Sequence, residues 1–107
     1  MQKNNVFISI VAPCYNEEAV IDIFLEKIFE VLERLGRNFE IVFVNDGSRD
    51  STLEVLKAKS KEYAGVRVIN LSRNFGKEAA LTAGIDMAQG EVVVPIDVDL
   101  QDPPELI

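Results

Sequence analysis

With 107 residues the chain has room for one domain, which buries roughly two-thirds of its unfolded surface. Hydrophobic residues make up 48% and charged residues 27%, an ordinary globular balance that argues against disorder. Eleven Lys+Arg against eighteen Asp+Glu leave a net charge of −7, which disfavours nucleic acid or an anionic membrane surface as a general partner.

Missing residue types narrow the field further. The chain has no His, so Ser-His-Asp and Cys-His catalysis, haem ligation through His and His-bearing zinc sites are excluded. Cys14 is the only cysteine, so no intrachain disulfide forms and a reducing, cytosolic setting is expected. No apolar run approaches the roughly 18 to 20 residues that span a bilayer. The stretch Met1 to Asn5 is too short and too polar for a secretory signal.

Apolar runs and helical patterns alternate along the chain. Val6 to Ala12 reads as a buried strand. Asn16 to about Leu35 reads as a helix, with Ile21, Leu25, Ile28, Leu32 and Leu35 on one face and Gly36 as its stop. Phe39 to Val44 is a second strand of β-branched and aromatic residues. Asp46-Gly47-Ser48 is a turn, and Ser51 with Glu54 predicts a capping box for a second helix. That helix carries Leu53, Leu56 and Tyr63 inward and stops at Gly65.

Val66 to Leu71 is a third strand, and the loop Ser72 to Gly76 leads into a third helix ending near Gly90. Ala80, Ala83, Gly84 and Ala88 give that helix a face of small side chains, which permits close approach to a sheet. Val92 to Ile96 is the fourth strand. Pro95 inside it cannot donate to a ladder, so the strand is expected at an edge or with a bend. The order βαβαβαβ with short connections predicts an α/β domain with a parallel, Rossmann-like sheet and right-handed crossovers. Asp102 to Ile107 resembles the opening of another element, so the chain reads as the front portion of a longer protein, truncated after the fourth strand.

Open parallel sheets bind ligands at the carboxyl ends of their strands. Four polar segments fall there: 13–18, 45–48, 72–77 and 97–102. Asp97, Asp99 and Gln101 alternate after the fourth strand, and an extended backbone would point all three to one face. Two carboxylates and an amide oxygen suit Mg²⁺ or Mn²⁺; a solvated turn is the bland alternative. Asp46 either organises the loop entering the second helix or accepts an N–H from a base.

Arg73 and Lys77 are the cations of the third loop, and Lys77 falls in the first helical turn, where it either completes an anion site or is merely solvated. Glu17 and Glu18 fall at a helix start, where acids are stabilising anyway. Cys14 reads as a small buried hydrophobe. Asn70-Leu71-Ser72 fits a glycosylation pattern but ends a predicted strand, and the chain has neither a Gly-x-Gly-x-x-Gly after strand one nor a P-loop.

Taken together, the segments 11–18, 44–52, 72–80 and 97–105 resemble inverting family-two glycosyltransferases of GT-A fold. The closer similarity is to polyprenyl-phosphate sugar transferases, the bactoprenol glucosyltransferases and dolichyl-phosphate mannose synthase, with Leu-Gln-Asp-Pro-Pro-Glu at 100–105 pointing to that branch. The resemblance implies that Pro13, Tyr15 and Glu17 line a nucleotide-sugar pocket and that Asp46 binds the base. It further implies that Lys77, with Arg73, faces the diphosphate. Asp97 would touch ribose or metal, Asp99 and Gln101 would hold the metal, and Asp97, Asp99 and Lys77 would carry the chemistry. Val98 stands where such enzymes often have Ala, and its side chain should point away from the metal.

The implied donor is a UDP- or GDP-sugar, the acceptor a lipid phosphate, and the parent enzyme's place the cytoplasmic face of the membrane. Residues 1–107 would then be the nucleotide-sugar-binding part, which binds weakly and does not transfer. Two competing readings are a binding-only nucleotide or interaction module and a receiver-type signalling domain. The latter needs an acceptor Asp after strand three, where this chain has Asn70-Leu71-Ser72.

Overall fold

The computed structural model describes residues 6–36 and 38–99. The elements run β1 (Phe7–Cys14), α1 (Ile21–Leu35), β2 (Asn38–Asn45), α2 (Thr52–Glu62), β3 (Val66–Asn70), α3 (Lys77–Met87) and β4 (Val92–Pro95). All pairings are parallel and the strand order is β3-β2-β1-β4. The chain therefore steps outward from β1 to β3, then reverses to place β4 on the other side of β1. Right-handed crossovers force helices made before and after such a reversal onto opposite faces.

The packing obeys that rule. Ile8, Ile10, Ala12 and Cys14 of β1 alternate with Ser9 and Val11, and the first set joins Ile41 and Phe43 of β2 under α1 and α2. Val11, Val42 and Val44 face the other way, under Ala80 of α3. Gly84 explains how α3 sits so near the sheet. A Cβ there would lie 2.9 Å from Val44 Cγ2 and closer still to Val11 Cγ1, so only hydrogen fits.

Several expectations shift in detail. Helix α1 begins at Ile21, five residues later than Asn16, and its buried face is Ile21, Phe24, Leu25, Ile28, Val31 and Leu32. Leu35, in the last turn, is exposed; Gly36 does close the helix in the left-handed conformation. Leu56 of α2 is fully buried, whereas Leu53 and Tyr63 are half-buried, and the helix ends at Glu62 before Gly65 is reached. Helix α3 stops at Met87, short of Gly90. Pro95 closes β4, which is an edge of the described sheet, and the ladder continues past it through Ile96 N–H to Val11 C=O at 3.0 Å.

At the amino end of the sheet, on the α3 face, Glu40 is buried within a polar network. Its carboxylate accepts from Ser9 Oγ at 2.6 Å, Arg67 Nη1 at 2.6 Å and the Gln89 N–H at 2.8 Å. Ser9 Oγ in turn accepts from the Gly90 N–H at 2.8 Å. Burial alone would raise the Glu40 pKa, but these hydrogen bonds and the Arg67 charge outweigh it and hold the carboxyl below its ordinary range. The network pins the α3–β4 connection to the sheet.

Candidate functional site

The reversal between β1 and β4 leaves a crevice at the carboxyl ends of the strands, as doubly wound sheets do. A cleft of ≈ 460 Å³ opens there, lined by the loops after β1, β2 and β3 and by the chain after β4. Of the residues expected from sequence, Pro13, Tyr15, Glu17, Asp46, Lys77, Asp97 and Asp99 all line it. Arg73 does not; its guanidinium stacks 4.7 Å from the centroid of the Phe75 ring, outside the lining. Gln101 lies outside the described residues.

Asp46 is 3% exposed and follows β2 directly. Its Oδ1 accepts the Phe75 N–H at 2.8 Å, and its Oδ2 accepts the Gly76 N–H at 3.1 Å and Asn74 Nδ2 at 3.3 Å. The carboxylate thus organises the loop before α3, not the loop entering α2. Gly47 lets the two loops meet: with φ of 69° and the Asn74 and Arg73 backbone against it, no side chain fits.

In the same cleft, Lys77 Nζ contacts Asp97 Oδ1 at 2.5 Å. That hydrogen bond, with the nearby charges of Asp97, Asp99 and Glu17, raises the Lys77 pKa. It also offsets the dipole penalty for a cation at the first residue of α3. Glu17 is pushed up, first by burial and then by the Asp99 and Asp97 charges, against a lowering hydrogen bond from the Tyr15 N–H. Four carboxylates, Glu17, Asp46, Asp97 and Asp99, share the cleft with the one ammonium group of Lys77, so negative charge is in excess.

That excess is the local argument for a cation. Among the described residues no group of three acids or thiols is close enough to hold a metal unaided. Mg²⁺ and Mn²⁺ do not require one, because each is commonly held by one or two carboxylates with water and substrate phosphates completing the shell. Asp97 and Asp99 supply such a pair, and the donor chemistry fits. The intervening Val98 is 1% exposed and joins the hydrophobic core, although it also contributes to the cleft lining. The backbone at Val98 and Asp99 turns instead of running extended, so the two acids reach one cleft by a turn and not by strand alternation.

Glu17 and Glu18 precede α1 and take no part in its first turn. Glu18 Oε1 accepts the Ser51 N–H at 2.9 Å and Thr52 Oγ1 accepts the Glu17 N–H at 2.8 Å, so these acids serve the approach to α2. The predicted Ser51–Glu54 capping box is absent, since Ser51 makes no side-chain cap bond and Asp50 Oδ1 accepts the Thr52 N–H at 2.9 Å in its place. Cys14 is buried beneath the cleft, and burial pushes its thiol well up, so it is inert as a nucleophile. Sequence reasoning missed Asn74 and Gly76 as lining residues. Asn-Phe-Gly between a strand end and a lysine-led helix is a loop signal, but which of its groups meets Asp46 depends on a contact 28 residues away.

An α/β domain of doubly wound parallel type, with an acidic cleft and one cation at its switch point, is the class that fold and site define. Residues 9–107 match the model of Glycosyl transferase family 2, and the chain belongs to that family. The prophage bactoprenol glucosyl transferase homolog of Escherichia coli is 48% identical over 100 residues, covering 94% of this chain and 33% of that protein. The undecaprenyl-phosphate 4-deoxy-4-formamido-L-arabinose transferase of Pseudomonas paraeruginosa is 44% identical over 101 residues, covering 94% of this chain and 30% of that one. The chain thus spans about a third of the length of these relatives.

Among solved structures, the mannosyltransferase PcManGT of Pyrobaculum calidifontis, in complex with GDP-Man and Mn²⁺, superposes with a TM-score of 0.76 at 23% identity, over 94% of this chain and 34% of that one. Staphylococcus aureus TarS 1-349 in complex with UDP-GlcNAc gives 0.69 at 28% identity, over 86% and 26%. The architecture is that of the GT-A glycosyltransferases. No described helix is long and apolar enough to cross a membrane.

Proposed function

We propose that residues 1–107 form the nucleotide-sugar-binding part of a glycosyltransferase that moves a sugar from a nucleoside diphosphate to a polyprenyl phosphate, with inversion and with a divalent cation. The observation that carries this reading is the convergence of Asp46, Lys77, Asp97 and Asp99 on one cleft at the β1/β4 switch point. The names of the bactoprenol and undecaprenyl-phosphate relatives support the lipid-phosphate acceptor. In this reading the parent enzyme works at the cytoplasmic face of a membrane, where a lipid-phosphate acceptor would be met.

In this reading Pro13, Tyr15 and Glu17 wall the nucleotide, and Asp46 accepts an N–H of the base. Breaking the sugar–diphosphate bond throws negative charge onto the leaving nucleoside diphosphate. Lys77 and the free N–H groups of the first turn of α3 oppose that charge as it develops. Asp97, Asp99 and Gln101 would hold Mg²⁺ or Mn²⁺, which when bound neutralises diphosphate charge. Lys77 holds Asp97 and is 64% exposed at its side chain, free to turn toward a phosphate. A phosphate acceptor has a second pKa near 6 and arrives ionised, so alignment matters more than a strong general base.

Calorimetric titration with UDP- and GDP-sugars, with and without Mn²⁺, tests the proposal on the wild type and on Asp99→Asn. Metal-dependent heat that falls at least tenfold in the variant, with thermal unfolding unchanged, is the expected result. Silence with every nucleotide diphosphate refutes the proposal. Binding indifferent to both metal and substitution identifies a binding-only module.

A further inference from the structure

Asn16 sits between two cleft residues, Tyr15 and Glu17, yet does not line the cleft itself. It is the single non-glycine residue with positive φ among the described residues, at 54°. Asn tolerates this left-handed region better than most side chains, but the conformation still has to be held by its surroundings. The holding contacts come from the loop after β2. Asn16 Oδ1 accepts the Arg49 N–H at 2.7 Å and the Asp50 N–H at 3.3 Å, and the Asn16 N–H donates to Ser48 Oγ at 2.9 Å. These bonds cross 32 to 34 residues of chain, so they join separate loops.

With the Glu17–Thr52 and Glu18–Ser51 bonds they form a continuous seam from residues 16–18 to residues 48–52. None of residues 48–52 lines the cleft, so the seam braces the β1–α1 loop from outside the lining. Tyr15 and Glu17 therefore have a fixed backbone behind them, and the Tyr15 N–H to Glu17 Oε1 bond at 3.2 Å closes the short span between them. Without the Asn16 side chain the loop would lose the two bonds to the Arg49 and Asp50 amides and keep only the flanking bonds of Glu17 and Glu18.

We infer that Asn16 is a positioning residue for nucleotide binding: its side chain locks the β1–α1 loop to the β2–α2 loop and so presets Tyr15 and Glu17 in the cleft. The inference rests on the nucleotide-sugar reading above. It predicts that pre-organisation, not contact, is what the residue contributes to affinity.

Three variants separate the roles. Asn16→Gly keeps the left-handed backbone and deletes the acceptor; Asn16→Asp keeps both; Ser48→Ala removes only the partner of the Asn16 N–H and spares the fold if the first variant is unstable. Nucleoside diphosphate affinity with Mn²⁺ is measured by calorimetry, and amide hydrogen exchange at Arg49 and Asp50 by NMR, at a temperature where every variant is folded. Asn16→Gly should weaken binding about tenfold and speed exchange at both amides, Ser48→Ala should weaken it a few-fold, and Asn16→Asp should restore both readouts. Faster exchange or a lower Tm with unchanged affinity in Asn16→Gly and Ser48→Ala would mean a purely structural residue and would overturn the inference. If the wild type itself binds no nucleotide, the functional reading falls first and takes the inference with it, a result recognisable before any variant is made.

Discussion

Replacing Gly84 by Ala sets two rules of physical chemistry against each other. In an ordinary helix interior Gly→Ala stabilises by about 1 kcal/mol, because Gly loses more backbone freedom on folding. Gly84, however, is buried in α3 where it crosses the sheet, and the new Cβ would lie 2.9 Å from Val44 Cγ2 and nearer to Val11 Cγ1. Both valines are fully buried in the sheet, so neither can swing aside. Overpacking of this kind costs about 1–3 kcal/mol, which exceeds the propensity gain and leaves a net loss of about 1 kcal/mol. For a domain near this size that is a fall in Tm of about 4–8 °C. Thermal unfolding followed by circular dichroism reads it directly, and Gly84→Val should fall further. A Tm equal to or above that of the wild type would refute the close-packing argument. The consequence reaches the cleft, because Lys77 begins the same helix and lifting α3 from the sheet moves its ammonium group away from Asp97.

Two further outcomes follow from individual carboxylates. Glu40 has a folded-state pKa below its ordinary 4.5, so its contribution to stability is present above the unfolded value and is lost as pH falls through the folded one. Denaturant unfolding between pH 6 and about 3 should show this loss, and Glu40→Gln should flatten that part of the profile while lowering stability at neutral pH. Asp46 already accepts three hydrogen bonds, and an ionised carboxylate has about four acceptor positions, so one remains. A base offering a single ring N–H, such as uracil, then suits it better than guanine, which offers two adjacent donors; competition between UDP and GDP for the cleft should favour UDP, and equal or reversed preference would count against this count of acceptors.

Much of the architecture is legible in the chain because it depends on local pattern. Runs such as Ile41-Val42-Phe43-Val44 have no polar residue to turn toward water, so they signal a sheet covered on both faces, and the structure buries all four. Helix boundaries were less legible. Asn16 to Val20 carry residues suited to a helix start, but the hydrogen bonds from 48–52 claim the groups of Asn16, Glu17 and Glu18 and hold α1 back to Ile21. The failed Ser51–Glu54 capping box has the same cause, since Glu18 from another loop takes the Ser51 N–H.

At the cleft the division is equally physical. Residue type and position after a strand identified Asp46, Lys77, Asp97 and Asp99 as polar groups at one end of a parallel sheet, which is a matter of alternation and topology. Their partners depend on segments brought together only by folding: Asp46 with the Phe75 and Gly76 amides, and Lys77 with Asp97. Pattern along the chain determined the strands, the helices and the end of the sheet where chemistry collects, because those follow from periodicity and chirality. Tertiary structure alone decided which charges touch and which backbone amides they hold, because such contacts join residues tens of positions apart whose meeting no local rule encodes.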